Sequence, residues 1–266
     1  MNQTLLKLAS DHLWDAWSAG QTIVALPSEL KPSNRDDGYA IQSLLEARSS
    51  KSLYGWKIAA TSVAGQTHIG VDGPMAGRIL AEKVLAEGSS VSLTNNRMSV
   101  AECEFAFEMK NTLAPRSRAF SVDEVMAAVG NLHPAIEIPD SRYEKFETAG
   151  APQLIADSAC AHLFMLGKAS TSNWRTFNLA THAVTASVTN SEGTLKHHHG
   201  VGSNVLGDPR IALTWLANEL REIGVALVKG QVVTTGTCIV PIPVIAGDHV
   251  HVSFGAVGDI EVRFLV

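Results

Sequence analysis

Along this chain the spacing of apolar residues changes from helical to alternating, and the change separates a helical front from a strand-rich remainder. Leu5, Leu8, Leu13, Ala16 and Trp17 recur at helical spacing, with Gly20 placed to stop the helix. Pro27 and Pro32 bracket a loop, and the polar run from Ser33 to Asp37 offers caps to a second helix through Ala40, Leu44 and Leu45. The stretch from Gly65 to Gly77, with Pro74 inside it, reads as a glycine-rich loop. From Val100 to Met109 the period is two. Ala101, Cys103, Phe105, Phe107 and Met109 share one face, and Glu102, Glu104 and Glu108 share the other, as a strand requires. Ser121-Val122-Asp123-Glu124 is a capping box opening a short helix. Asp208-Pro209 opens another, with Leu213, Leu216, Leu220 and Ile223 as its stripe and Gly224 as its end. Near the C-terminus, Val250, Val252 and Phe254, then Ile260, Val262 and Phe264, alternate with polar residues across turns at 246–248 and 255–258. His197-His198-His199, flanked by Lys196 and Gly200, reads as a polar loop. The pattern predicts an α+β protein, with a helical N-terminal region over 1–52 and a β-rich domain over 53–266.

Composition narrows the chemistry. The chain has 266 residues, 45% hydrophobic and 18% charged, enough to bury a sizeable core. Its formal charge is −5 with no long basic run, which argues against nucleic-acid binding through a basic surface. Cys103, Cys160 and Cys238 are odd in number, widely spaced and without a CxxC pair, so neither a disulfide framework nor a thiolate zinc site is expected. Met1 to Trp14 holds no unbroken apolar stretch, and the most apolar run, Cys238 to Ala246, contains two prolines and is too short to span a bilayer. The expectation is a soluble cytoplasmic protein acting on small molecules, with no membrane partner.

Three carboxylates carry the first candidate chemistry. Glu102 and Glu104 would project from one strand face on the order of 7 Å apart at their α-carbons. Alone, such a pair is more often a solvated face than a site. Glu137 changes the balance, because it lies in the apolar run from Pro134 to Pro139, where an unpaired charge costs several kcal/mol. The nearby cation in sequence, Arg142, follows Asp140 and could pair with that residue instead. A hard-oxygen set without histidine suits Mg²⁺ or Mn²⁺ rather than zinc. Lys57, between Trp56 and Ile58, is either a packed strand lysine or an ammonium placed for proton transfer. Cys160 and His162, two residues apart, would point apart on a helix and are set aside as a nucleophile and base. No G-x-S-x-G elbow or Walker A loop is present, and Gly200-Val201-Gly202 lacks the third glycine of a dinucleotide fingerprint.

Taken together, several segments resemble the 2-keto-4-pentenoate hydratase family of the fumarylacetoacetase-like superfamily, which includes 4-oxalocrotonate decarboxylases. Gly55-Trp56-Lys57-Ile58-Ala59-Ala60-Thr61-Ser62 resembles its G-x-K-I-x-x-T-S segment, and Glu102-Cys103-Glu104 its E-x-E metal pair. Pro134 to Arg142 resembles P-A-[LI]-E-[IL]-x-D-[SA]-R, with Glu137 as third ligand. Ile155 to Ala159 resembles I-[AS]-D-N-A, Ala212 to Asn218 resembles V-A-W-L-A-N, and Val233 to Thr237 resembles the strand ending in a glycine step. The likeness runs in order from Leu53 to the C-terminus and is weaker before it, where Tyr39 to Gln42 still fits.

The resemblance implies a mixed β-roll domain with a divalent metal, Mg²⁺ or Mn²⁺, on Glu102, Glu104 and Glu137. It implies catalytic work for Lys57 and Asp157, and substrate carboxylate binding at Gly236 and Thr237. The implied reaction is addition of water to a 2-hydroxy-2,4-dienoate in aromatic meta-cleavage catabolism, by a homo-oligomer, with a complex with a decarboxylase or aldolase of the same pathway as a further expectation. A decarboxylase using the same site and a non-catalytic partner subunit are the alternatives. Two positions depart from the family. Met75 follows Pro74 where an acidic residue is common, leaving Asp72 as a candidate replacement, and Ser158 stands where the family has Asn.

Overall fold

The computed structural model describes residues 1–265. In chain order it contains α1 (Gln3–Ser18), α2 (Arg35–Ser43), β1 (Gly55–Ala59), α3 (Val63–His68), β2 (Met75–Ile79), β3 (Val84–Leu85), β4 (Ser90–Val91), β5 (Val100–Met109), α4 (Val122–Ala128) and β6 (Val129–Ile138). There follow α5 (Ala151–Ala156), β7 (Leu163–Leu166), β8 (Ala183–Thr189), β9 (Leu195–Val201), α6 (Pro209–Glu222), β10 (Val232–Thr237), β11 (Ile242–Pro243), β12 (His249–Ser253) and β13 (Asp259–Phe264).

Two sheets make the body. The larger is mixed, in the order β2-β1-β10-β5-β6-β7-β3, with β11 pairing to β5 off this path. The smaller runs β4-β13-β12-β8-β9. The apolar face of β5 turns toward the second sheet, where the Phe105 and Phe254 rings meet edge to face at 5.0 Å. Val250, Val252, Ile260, Val262 and Phe264 bury the inner face of the smaller sheet. Leu6, Leu13, Tyr39 and Ile41 of the front helices join the same core cluster as these strands. The α+β expectation therefore holds.

Local signals account for the helix ends. Ser121 and Glu124 form the reciprocal capping box of α4, and Asp208 caps α6 with Pro209 at its first position. Both helices begin where the sequence places them.

Three expectations are corrected. The buried stripe of α1 is Leu6, Ala9, Leu13 and Ala16, while Leu8 is 48% exposed. The 65–77 segment is not one loop. Ser62 caps α3 by accepting from the Gly65 N–H at 3.1 Å, and Met75 starts a fully buried strand. Finally, His197 to His199 lie in β9, where they pair with β8 at the edge of the smaller sheet. Ladder bonds to β8 satisfy that backbone, which a polar side-chain composition alone does not reveal.

Candidate metal centre

Strand pairing explains how residues eighty positions apart share one site. Glu102 of β5 sits directly opposite Glu137 of β6, and Glu104 lies opposite Thr237 of β10. Lys57 of β1 lies opposite Thr234 of β10. Directly paired residues place their side chains roughly 5 Å apart, so four adjacent strands converge on one spot. One ligand oxygen from each of Glu102, Glu104 and Glu137 falls within 4.8 Å of the others. Glu104 and Glu137 are fully buried and Glu102 is half-buried. The even face of β5 is thus an interior face and not a solvated one.

The surrounding donors orient Glu104. Its Oε2 accepts from the Gly236 N–H at 2.6 Å and from the Thr234 hydroxyl. A bulge in β10 between Thr234 and Thr237 aims that N–H. Only glycine suits the bulge, because φ at Gly236 is +102° and a Cβ there would lie 2.1 Å from Thr61 Oγ1.

Lys57 supplies the cation that Glu137 needs. Its Nζ lies 3.1 Å from Glu137 Oε1 and donates to Ala159 O at 3.0 Å. Burial pushes this ammonium toward neutrality, but the carboxylates of Glu137 and Glu102 outweigh it and hold Lys57 protonated, above the ordinary lysine range. Burial raises the carboxyls of Glu102 and Glu104, the latter further through Glu137 and Glu102. Burial likewise pushes Glu137 up to about 7 despite the pull of Lys57.

The donor set fits a divalent cation. Among the described residues Glu104 Oε1 and Glu137 Oε2 are buried without a hydrogen-bond donor, and Glu137 Oε1 meets only the Lys57 ammonium. Three carboxylates and one ammonium leave two net negative charges in a site largely closed to water, which an ion of charge +2 neutralises. All three donors are hard oxygens, as Mg²⁺ and Mn²⁺ prefer.

No family model matches the chain. TodF product hydratase of Pseudomonas putida F1 is 28% identical to it over 262 residues, covering 97% of this chain and 95% of that protein. 4-Oxalocrotonate decarboxylase of Pseudomonas sp. CF600 is 27% identical over 273 residues and covers 100% of both. A structure of 4-oxalocrotonate decarboxylase from Pseudomonas putida G7, complexed with magnesium and adipate, superposes with a TM-score of 0.88 at 24% identity, covering 100% of this chain and 99% of that one. Along nearly its whole length the chain is similar to 2-keto-4-pentenoate hydratases and to 4-oxalocrotonate decarboxylase. Its fold is the fumarylacetoacetase-like fold of its solved structural neighbours.

Within this family fold, the remaining candidates fall in different places. Asp72 is exposed in the turn before β2 and makes no hydrogen bond or ion pair among the described residues. The structure does not join it to the carboxylate cluster. Asp157 is buried and already engaged. It pairs with the Arg142 guanidinium and accepts from the Ser141 hydroxyl at 2.7 Å and the Arg142 N–H at 3.0 Å. Arg142 therefore takes Asp157 as its carboxylate partner, and its bond to Asp140 is only to the backbone carbonyl. Gly236 and Thr237 are also occupied: the Gly236 N–H faces Glu104, and the Thr237 hydroxyl donates to Ile239 O at 2.5 Å. Gly236 thereby orients Glu104, while the Thr237 hydroxyl, which also accepts from the Cys103 N–H at 3.1 Å, ties β5 to the segment after β10.

Sequence reasoning missed the turn that supports Lys57. Ser158, Ala159 and Cys160 are three consecutive residues with φ of 53°, 51° and 63°. Such left-handed backbone costs roughly 1–2 kcal/mol per residue without glycine, so the surroundings must enforce it. Ser158 Oγ accepts from the Arg78 N–H at 2.8 Å and donates to Arg78 O at 3.1 Å, which pins the turn to β2. A side chain at Gly77 would strike Ser158 O at 2.1 Å, and this close approach brings Ala159 O within reach of Lys57.

Proposed function

We propose that this chain is a divalent-metal-dependent hydro-lyase that adds water to a 2-hydroxy-2,4-dienoate, giving a 4-hydroxy-2-oxo acid in aromatic meta-cleavage catabolism. The observation that carries the reading is the buried Glu102, Glu104 and Glu137 cluster with the Lys57 ammonium against it. The full-length likeness to TodF product hydratase and to 2-hydroxyhexa-2,4-dienoate hydratase of Comamonas testosteroni supports the reaction.

Glu102, Glu104 and Glu137 would hold Mg²⁺ or Mn²⁺. The bound ion supplies Lewis-acid withdrawal of charge from a 2-oxo acid. The reaction moves a proton onto the diene carbon chain and then adds water across the remaining conjugated double bond, while negative charge gathers on the 2-oxygen. Lys57 is held protonated by its carboxylate neighbours, so its Nζ acts as proton donor or as partner to that oxygen and not as the resting base. Ala159 O and Glu137 fix the ammonium's position before substrate arrives. Thr234 and Gly236 hold the Glu104 carboxylate, which keeps one ligand oxygen directed into the cluster.

The full-length match to 4-oxalocrotonate decarboxylase favours a second reading at the same site, in which the enolate forms by loss of CO₂. One experiment separates the two. With Mg²⁺ supplied, 2-hydroxypenta-2,4-dienoate and 4-oxalocrotonate are assayed side by side. Conversion of the dienoate to a 4-hydroxy-2-oxo acid supports the hydratase, and CO₂ release from the second compound supports the decarboxylase. Inactivity on both, with metal binding intact, supports a non-catalytic partner subunit.

The same reading places the protein in the cytoplasm as a homo-oligomer, in complex with a decarboxylase or aldolase of its pathway. Among the described residues no helix is long and apolar enough to cross a membrane.

A further inference from the structure

A cavity of about 230 Å³ opens between the end of α1 and the segment leading out of β6. Its charged lining is unbalanced. Lys83, Arg97 and Arg142 face it, against the single carboxylate of Asp140. Asp140 is already taken, since its Oδ1 accepts the Arg97 N–H at 2.9 Å and the Met98 N–H at 3.4 Å. Arg142 is paired with Asp157. Among the described residues the other two cations have no acidic partner, and the Arg97 guanidinium reaches the carbonyls of Asn95 and Gly20, each at 3.3 Å. Half-buried Lys83 makes no side-chain hydrogen bond or ion pair among the described residues, and its Nζ lies 4.9 Å above the Trp17 ring.

His162 completes a donor set. Trp17 Nε1 can only donate, and it donates to His162 Nδ1 at 3.1 Å, so a neutral ring carries its proton on Nε2. Burial, helped by Arg142 and Lys83, depresses this histidine to about 3, and the ring is neutral at physiological pH. The cavity thus offers an unpaired ammonium, an exposed guanidinium, a neutral N–H donor and the flat face of Trp17. Planar carboxylates match forked guanidinium donors, and the space is smaller than a drug-sized ligand needs.

We propose that this cavity binds a small organic acid through its carboxylate, at Lys83 and Arg97 against Trp17, separately from the Glu102, Glu104 and Glu137 cluster. A narrower crevice shares Trp17, Lys83 and His162 with the cavity and extends to Glu137, so the two sites are neighbours in the fold. The proposal does not depend on the reaction assigned to the carboxylate cluster.

Calorimetric titration of the full-length protein with succinate, with and without saturating Mg²⁺, tests it. One saturable site is expected in both conditions. Lys83→Met keeps the stem and should weaken binding by about tenfold, the scale of one poorly screened ion pair, and the exposed Arg97→Met should weaken it in the same direction. Glu137→Gln should leave succinate affinity unchanged. The absence of saturable binding overturns the proposal. So does binding that disappears in Glu137→Gln but persists in Lys83→Met, which puts the acid on the carboxylate cluster. A smaller particle mass for Lys83→Met by light scattering, with succinate affinity unaltered, also overturns it, because the cavity then receives a carboxylate from a second copy.

Discussion

At the scale of single residues, the side chains that matter are those whose charge has no escape to water. Glu137→Gln keeps the shape of the cluster and removes one negative charge. It should abolish tight Mg²⁺ binding and turnover while far-UV circular dichroism stays native, and retention of both would exclude Glu137 as a ligand. Lys57→Met keeps the stem against Gly77 and removes the ammonium. Turnover should fall on the order of 10²-fold or more, the usual scale for a positioned acid. Mg²⁺ affinity should not weaken, because Lys57 competes with the ion for Glu137; a calorimetric loss of affinity equal to that of Glu137→Gln would contradict this assignment. His162 carries a separate prediction. Its native pKa near 3 lies below the ordinary histidine value of 6.5, so the folded state binds fewer protons than the unfolded one between those limits. Stability from this group is complete above about pH 6.5 and declines as pH falls toward 3, by somewhat less than about 1.4 kcal/mol per pH unit because the ring is partly solvated. His162→Asn can still accept from Trp17, and urea titrations at pH 5 and pH 7 should show a smaller difference than in the parent protein.

At the scale of elements, what the sequence disclosed depended on whether a feature is local. Period-two alternation drew β5 with the ends at which it is found, and the capping chemistry of Ser121 and Asp208 placed the starts of α4 and α6. Glu102, Glu104, Glu137 and Lys57 could each be singled out by chain context, and the family resemblance grouped them. The pairing of Lys57 with Glu137 was hidden, because it depends on the register of β1, β10, β5 and β6 together. Thr234 and the Ala159 carbonyl were invisible for the same reason: one is an ordinary strand threonine and the other is backbone. The left-handed turn at 158–160 was hidden because ordinary residues adopt that conformation only under tertiary constraint. Gly236 tests the element-scale account. Gly236→Ala forces a Cβ toward Thr61 at a positive φ and disturbs the N–H that holds Glu104. We expect a loss of about 1–3 kcal/mol in stability, measured by urea unfolding, together with weaker Mg²⁺ binding. Normal metal affinity in a folded Gly236→Ala protein would show that the bulge does not set the ligand geometry.

At the scale of the whole molecule, the proposed function makes the carboxylate cluster of the folded state a metal receptor. Four strands of the larger sheet hold its carboxylates and Lys57 close together, an arrangement that does not survive unfolding, so an ion that binds the cluster stabilises the entire domain by mass action. At a free Mg²⁺ concentration one hundred times the dissociation constant this linkage is worth about 2.7 kcal/mol, or a rise of roughly 5 °C in Tm for a chain of this size. Protons compete for the same oxygens. Burial holds Glu137 near 7 and keeps Glu102 and Glu104 above their ordinary range, so lowering the pH from 8 toward 6 fills the ligands with protons before the ion can bind. The Mg²⁺-induced rise in Tm at fixed metal concentration should therefore shrink steadily over that interval and be absent in Glu137→Gln at every pH. Calorimetric scans of both proteins across the range decide the matter. A rise in Tm that is equal in the two proteins would place the stabilising ion somewhere other than the cluster of Glu102, Glu104 and Glu137.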